Sequence, residues 1–448
     1  MDVFLPKGTR DYLPETFAAR SAVIQTIRDA FLRHGFHGLD TPAFERIETL
    51  EGRYGEEGRK LIFRILERGE GGTAGRADLA LRYDLTVPLA RVVAMNADLR
   101  LPWRRHHIAP VWRADRPAKG RFREFLQCDC DVVGAPQGIA DAECLAVAFA
   151  ALDAIALPDA VCRINDRRLL RALAAAVGAI GEEGALLVAV DKLDKIGRDG
   201  VSKELAARGF ADSAIAELWR LSDLSAPTRD GLRAWSSALI ERVPDMANSI
   251  AEARDGLLGL WDDAAALGVA EVRMAFDATL ARGLDYYTGP VWEFVIDAHQ
   301  IGTIASGGRY DGLVGMFSGR DVPAVGVSLG LERLLVVLEA LGRLPTSPAG
   351  AEVVVAVAEE RGRRHALAAA AHLRAAGIPT EVYAGTAKLK AQFRHADALG
   401  ASHVVVVGGQ EVDSNTVTVK NLARGEQVTV ALGDLASTIR RASVAAPG

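Results

Sequence analysis

The sequence predicts a chain of several domains that mixes helices with sheet and ends in a compact α/β unit. Three observations predict it. HIAPVWRAD and FREFLQCDCDVVG read as two strands joined by the basic loop RPAKGR. Asn165 to Gly268 is rich in Ala and Leu with charged outer positions, as a block of packed helices requires. After LPTSPAG, a proline- and serine-bearing linker from Leu344 to Gly350, apolar strands such as EVVVAVA and HVVVVGG alternate with helical segments. Strands apolar on both faces belong to a sheet covered by helices on both sides.

The elements follow in order. Pro14 and Glu15 open a helix with Val23, Ile24, Ile27, Phe31 and Leu32 at helical spacing, closed by Gly35. Pro42 breaks the strand-like FHGLDTPAFERIETL, which makes it an edge or interface element. Gly69 to Arg76 reads as a surface loop. LALRYDLTVPLARVVA reads as a strand end, a turn and a helix begun near Pro88. In the second hairpin arm Phe125, Gln127, Asp129 and Asp131 share one face, because side chains alternate along a strand. A helix starts near Ile139, capped by Gly138 or Asp141. The helical block, with AVDKLDKIGRDGV inside it, gives way to strand-like sequence at Glu271. VPAVGVSLGLERLLVVLEAL is a strand, a glycine turn and a helix with Leu331, Leu334, Leu335 and Leu338 on one face.

The chain has 448 residues, enough for two to four domains at roughly 100–200 residues each. Its net charge of −5 excludes a protein basic throughout, so a nucleic-acid partner requires local patches. Cys128, Cys130, Cys144 and Cys162 do not form a disulfide framework or a zinc pattern and read as reduced, buried side chains. The N-terminal sequence has no signal-peptide character, and no uncharged apolar run reaches the length of about 18 residues that a membrane helix needs. The cytoplasm is the expected location.

Three constellations carry chemistry. Arg113, Arg116, Lys119, Arg121 and Arg123 crowd the hairpin, and arginine forks suit phosphate oxygens. Taken alone, the same segment also describes a solvated charged tip. Phe125 offers a flat face to a base, and Arg333 opens a helix behind a glycine turn, a place suited to anionic oxygens. Asp84 and Thr86 in RYDLTVP, with Gln127 and Asp131, suit an ammonium group and a small polar side chain, although each alone also fits a turn or cap. Arg282, Asp285, Tyr286 and Tyr287 in RGLDYYTG form the third set, with Tyr310 of GGRYDGL beside its diglycine. No phosphate-loop, dinucleotide or serine-elbow motif occurs. His106 and His107, neighbours on a strand, read as structural or RNA-facing.

GTRDYLPE, LRYDLTVP, WRADRPAKGRFREFLQCDCDVVG, INDRRLL, DKLDKIG, RGLDYYTG, GGRYDGL, VGVSLGLERLL and KLKAQFRHADALGASHVVVVGGQE, in this order, resemble the motifs of class II histidyl-tRNA synthetases almost end to end. The hairpin is similar to motif 2, GVSLGLERLL to motif 3, and RGLDYYTG to the histidine signature.

The resemblance implies an α+β fold: an antiparallel sheet flanked by helices, a helical insertion and a C-terminal anticodon-binding α/β domain. The expected segments are 1–165 and 269–343 for the catalytic domain, 166–268 for the insertion, 344–350 for the linker and 351–448 for the anticodon domain. It implies ATP and Mg2+, with the metal carried by phosphates and no protein metal site, and tRNA(His), L-histidine and a second copy of the chain as partners. Arg113 and Arg282 would be catalytic. Asp84, Leu85, Thr86, Arg113, Gln127, Asp131, Arg282, Tyr286, Tyr287 and Tyr310 would hold histidine. Arg113, Arg121, Phe125 and Arg333 would hold ATP, with Phe125 on adenine. Arg116, Lys119, Lys388 and Lys390 would meet tRNA. A polar imidazole pocket would discriminate without an editing domain.

The sequence departs from many family members in carrying Asp84 and Asp131 where a glutamate is usual, and Ala118 in the hairpin loop where some carry a longer polar side chain. A catalytically silent regulatory subunit of ATP phosphoribosyltransferase is the alternative reading, and a generic RNA-binding protein a third. Arg282 and the residues after the linker favour the ligase.

Overall fold

The computed structural model of the chain describes residues 3–51, 55–281, 286–296, 302–345 and 350–444. It divides into two compact units, residues 1–10 with 23–344 and residues 11–22 with 345–448.

The strands of the first unit are β1 (His37–Gly38), β2 (Phe44–Arg46), β3 (Arg64–Leu66), β4 (Ala77–Leu81), β5 (Trp103–Trp112), β6 (Glu124–Val133), β7 (Val161–Asp166), β8 (Met274–Phe276), β9 (Pro290–Val295), β10 (Ala305–Arg309) and β11 (Ala324–Gly330). β2, β4 and β3 form a small sheet. The others form one sheet in the order β1-β5-β6-β11-β10-β9-β7-β8. Its interior pairs are antiparallel, and only the outermost pairs, β1 with β5 and β7 with β8, are parallel. Such a sheet can bury one face under helices and open the other.

The alternation of β6 shows how the residues impose this. Cys128, Cys130 and Val132 join the main apolar core with Cys144 and Cys162, and all four cysteines are free and buried. Gln127, Asp129 and Asp131 fall on the other face. The main helices are α1 (Pro14–Arg33), α2 (Thr86–Met95), α3 (Ile139–Ala154), α4 (Arg167–Ala176), α5 (Glu183–Val190), α6 (Leu193–Ala207), α7 (Asp212–Asp223), α8 (Arg229–Arg242), α9 (Ala247–Ala266) and α10 (Leu331–Ala340). α3 carries Cys144, Leu145, Ala148 and Leu152 into the core. At its start the Gly138 N–H donates to the Asp141 carboxylate at 2.8 Å, so both expected capping residues take part.

Two local expectations change. The surface loop from Gly69 contains one helical turn, Glu70–Thr73. The helix expected near Pro88 begins at Thr86, where the Asp84 carboxylate accepts from the Val87 N–H at 3.0 Å and fixes the first turn. His106 and His107 are both buried and structural. His106 Nδ1 meets the Phe36 carbonyl at 3.0 Å, and His107 Nε2 meets Asp40 at 3.1 Å.

In the second unit β12 (Val353–Val357), β13 (Thr380–Val382), β14 (His403–Val407), β15 (Thr416–Asn421) and β16 (Gln427–Ala431) form a sheet ordered β13-β12-β14-β15-β16. The first three strands are parallel and the last two antiparallel. α11 (Arg363–Ala375), α12 (Leu389–Ala398) and α13 (Leu435–Val444) complete it. Val353 and Val355 enter one apolar cluster and Val354 and Ala356 another, which is why these strands are apolar throughout.

Candidate active site

A cleft of about 650 Å³ lies over the polar face of β6 in the first unit. The sheet brings its walls together from distant parts of the sequence. From α2 and the turn before it come Asp84 and Thr86. From the hairpin come Arg113, Lys119, Arg121 and Phe125. From β6 come Gln127, Asp129 and Asp131, and beyond it Tyr286, Tyr287, Tyr310 and Arg333. The remaining predicted positions stand differently. The Leu85 side chain is not on the cleft wall but wholly buried, packed against Ala109 and Val111 on the face of the sheet that also carries Phe125. Arg116 is exposed on the hairpin loop. Lys388 and Lys390 are exposed at the start of α12 in the other unit. Arg282, with Asp285, lies outside the described residues.

At the hairpin end, Arg113 is held between two rings. Its guanidinium carbon lies 4.2 Å from the Tyr83 ring centroid and 5.1 Å from that of Phe125, and its Nε donates to the Tyr83 carbonyl at 3.0 Å. Arg121 pairs with Asp115 at 2.6 Å, and Arg333 donates to the Thr303 carbonyl. Glu332, at the start of α10, accepts from the Leu126 N–H at 2.9 Å and so pins that helix to β6. The hairpin end therefore presents a flat ring and guanidinium groups, a fit for a base and its phosphates.

At the other end Asp131 is buried. Tyr310 Oη donates to its Oδ1, and Arg105 Nη2 contacts its Oδ2 at 2.7 Å. Burial raises the Asp131 carboxyl while Arg105 and Tyr310 pull it back. Burial opposes the charge on Arg105, but Asp131 and then Asp129 offset that and hold its pKa above the ordinary value, so the guanidinium stays charged. Burial and Asp131 both push the Tyr310 phenol up, which keeps its proton in place for Asp131. The Tyr310 oxygen retains lone pairs and can accept an N–H. Tyr286 ties the rings together, with centroids 4.9 Å from Tyr287 and 5.9 Å from Tyr310.

Glycine is needed where the backbone meets this carboxylate. A Cβ on Gly326 of β11 would stand 1.9 Å from Asp131 Oδ1. A Cβ on Gly307, the first of the diglycine, would stand 2.1 Å from the Gly326 carbonyl. Next along β6, Gln127 Nε2 donates to Ser328 Oγ at 2.7 Å. Its Oε1 is buried and has no hydrogen-bond partner among the described residues.

Several cleft residues were not singled out from the sequence as site groups: Asp129, Arg105 behind Asp131, Glu332, Asp277, and Asp191, Asp194 and Lys195 of the DKLDKIG stretch. For Arg105 the signal lies in the hairpin register, which the structure supplies. Arg113 N–H donates to the Arg123 carbonyl at 2.8 Å across the hairpin, and counting back from that pairing sets Arg105 opposite Asp131. Among the described residues no group of three His, Cys, Asp or Glu side chains could hold a metal ion.

Residues 8–334 match the family model described as histidyl-tRNA synthetase, and residues 352–442 match the one described as anticodon binding domain. A histidine–tRNA ligase of Aeropyrum pernix is 40% identical over 97% of this chain and 97% of its own length. One from Cytophaga hutchinsonii is 38% identical over 96% of this chain and 98% of its own. The crystal structure of a histidyl-tRNA synthetase from Nostoc superposes with a TM-score of 0.82 at 31% identity, covering 99% of this chain and 100% of that one.

Proposed function

The chain belongs to the histidyl-tRNA synthetase family and is a histidine–tRNA ligase that charges tRNA with histidine at the expense of ATP, and from that premise we propose how its residues divide the work. The observation that carries the proposal is the polar face of β6. Phe125, Gln127, Asp129 and Asp131 stand in one row along the cleft. At about 3.3 Å per residue the row extends for about 20 Å, room for a nucleotide at one end and an amino acid at the other.

Phe125 stacks on adenine, and Arg121 and Arg333 hold the outer phosphates. Arg113, clamped between Tyr83 and Phe125, reaches the α-phosphate. Asp84, Thr86 and Gln127 take the ammonium end of histidine, and Tyr286, Tyr287 and Tyr310 enclose its imidazole, with Asp131 acting through the Tyr310 hydroxyl. Arg282 is assigned to the histidine carboxylate and the α-phosphate on its sequence position alone. The histidine carboxylate attacks the α-phosphorus, pyrophosphate leaves, and a ribose hydroxyl of the tRNA end then displaces AMP. No side chain forms a covalent bond. Rate comes from positioning and from guanidinium charge at the phosphorus. Magnesium carried on the nucleotide's phosphates would lower their negative charge, beside the Arg121 and Arg333 guanidinium groups.

We further propose a cytoplasmic homodimer. Phe44 on β2 is 50% exposed and Leu66 on β3 57% exposed, apolar surface that a second copy would cover. Arg116 and Lys119 would meet the tRNA acceptor end, and Lys388 and Lys390 the anticodon side. The regulatory-subunit alternative is less supported, because the ligase relatives match almost the whole chain. Histidine-dependent exchange of pyrophosphate into ATP, followed by transfer of labelled histidine to tRNA, tests the reading. Exchange without dependence on histidine would overturn it.

A further inference from the structure

We propose that Asp129 is a second carboxylate for the substrate's ammonium group, acting beside Asp84 with Gln127 Oε1 as the neutral acceptor. The inference rests on the reading of this cleft as a histidine site. Asp129 sits at the centre of the β6 row, between Gln127 and Asp131. Its side chain lines the cleft and the residue is only 2% exposed. Ser328 stands directly opposite on β11 and accepts from Gln127 Nε2 at 2.7 Å, and the same Nε2 lies 3.5 Å from Asp129 Oδ1.

Among the described residues the local charge does not close. The charges that act most strongly on Asp129 among these residues are Arg105 of β5, Asp131 of its own strand and Asp84 before α2. Three carboxylates thus face one guanidinium, and that guanidinium is spent on Asp131 at 2.7 Å. Asp129 has no ion pair within 4.0 Å among the described residues. A buried carboxylate without a counter-charge is costly, and proteins keep one where a ligand supplies the cation. Histidine carries one cation at neutral pH that every amino acid shares, its ammonium group. Gln127 Oε1, buried and without a partner among the described residues, adds the acceptor that a second ammonium proton requires. The imidazole end makes no such demand, because Asp131 already has Arg105.

Asp129→Asn keeps the shape of the side chain and its place beside Ser328 while removing the charge. In histidine-dependent ATP–pyrophosphate exchange with the full-length chain, the KM for histidine should rise at least about tenfold, as loss of a charged hydrogen bond does, while the KM for ATP stays within about twofold. Two competitive inhibitors separate ammonium recognition from general damage. Histidinol, which keeps the ammonium, should weaken by about the same factor as histidine. Imidazole-4-propionate, which lacks it, should bind as well as before or better. Equal weakening of both inhibitors, or an unchanged histidine KM, overturns the proposal. If wild type itself shows no histidine-dependent exchange, the underlying reading fails instead. Should Asp129→Asn not fold, Asp129→Ser is measured in the same way against the same outcomes.

Discussion

Arg105 and Asp131 meet at 2.7 Å with their side chains 0% and 4% exposed, an ion pair sealed behind the wall of the proposed histidine site. The guanidinium also approaches the Leu85 carbonyl at 3.4 Å, while its Nε and Nη1 have no partner among the described residues. Such a pair costs a great deal to break and little to replace whole, because removing one partner strands the other charge. Arg105→Met should therefore destabilise the protein by about 3–5 kcal/mol in chemical denaturation. Asp131→Asn added to it should recover most of that loss, while the KM for histidine stays high because the acceptor that orients Tyr310 is no longer charged. Additive losses in the double variant would refute the coupling.

The nucleotide end gives a separate prediction. Phe125 borders the Arg113 guanidinium at 5.1 Å and supplies the stacking face assigned to adenine. Phe125→Leu keeps apolar bulk and loses the ring. With base stacking on an aromatic side chain contributing about 1–3 kcal/mol, the KM for ATP should rise about 5- to 150-fold. The KM for histidine should move by less than about threefold. A matching rise in both would mean that the ring supports the cleft as a whole.

Arg113 differs from Phe125 in what it does to rate. Its Nε is committed to the Tyr83 carbonyl at 3.0 Å, which sets the fork in one orientation before substrate arrives. Arg113→Gln should lower the single-turnover rate of adenylate formation by at least about 10²-fold, the size typical of one lost electrostatic donor. Arg113→Lys should recover only a small part, because an ammonium group lacks the planar fork. Full activity in the lysine variant would show that charge alone suffices.

Much of this site was legible in the sequence, because a strand pair turns chain order into spatial order. Once residues 103–134 read as a hairpin, alternation put Phe125, Gln127, Asp129 and Asp131 on one wall. Arg333 and Tyr310 were legible through glycine-flanked motifs. Arg105 was not, because its sequence WRRHHIAPVW places it among other cationic residues, and nothing local distinguishes a buried guanidinium from an exposed one. Only pairing with Asp131 does so. Leu85 differs for another reason: between two polar groups at a helix start, its side chain packs against Ala109 and Val111 and does not line the cleft. Contacts such as Glu332 with the Leu126 N–H join residues 206 positions apart, and no local pattern encodes them.

Protonation of Asp129 gives a pH signature. Burial, with Asp131 adding to it and Arg105 opposing it, pushes this carboxyl from the ordinary value near 3.8 up to about 7. A carboxyl whose folded pKa is raised binds more protons folded than unfolded between those two values. Its contribution to stability is therefore present at low pH, falls as pH rises from about 4 to about 7, and is absent above. Asp129→Asn removes that dependence. The difference in Tm, variant minus wild type, should grow in favour of the variant across that window and level off above about pH 7. Taking the difference cancels the other titrating groups, His107 among them, whose pKa burial lowers to about 4. A flat difference would mean that Asp129 stays charged throughout, its cost met by a cation other than Arg105.

The second unit yields the last prediction. Lys388 caps α12, Lys390 lies in its first turn and Arg394 one turn on, and all three are exposed. The start of a helix already favours anions through its free N–H groups, and lysines added there strengthen that preference. An exposed pair of this kind has no structural duty, so reversing its charge should leave Tm within about 2 °C, as surface substitutions generally do. If these side chains contact tRNA phosphates, Lys388→Glu with Lys390→Glu should raise the KM for tRNA at least about tenfold at low salt, and the effect should shrink as salt rises because each counterion released into more concentrated salt gains less. Pyrophosphate exchange does not involve tRNA and should keep its rate. An unchanged KM for tRNA at low salt would assign these lysines to solvent and send the search for the anticodon contact to another face of the same domain.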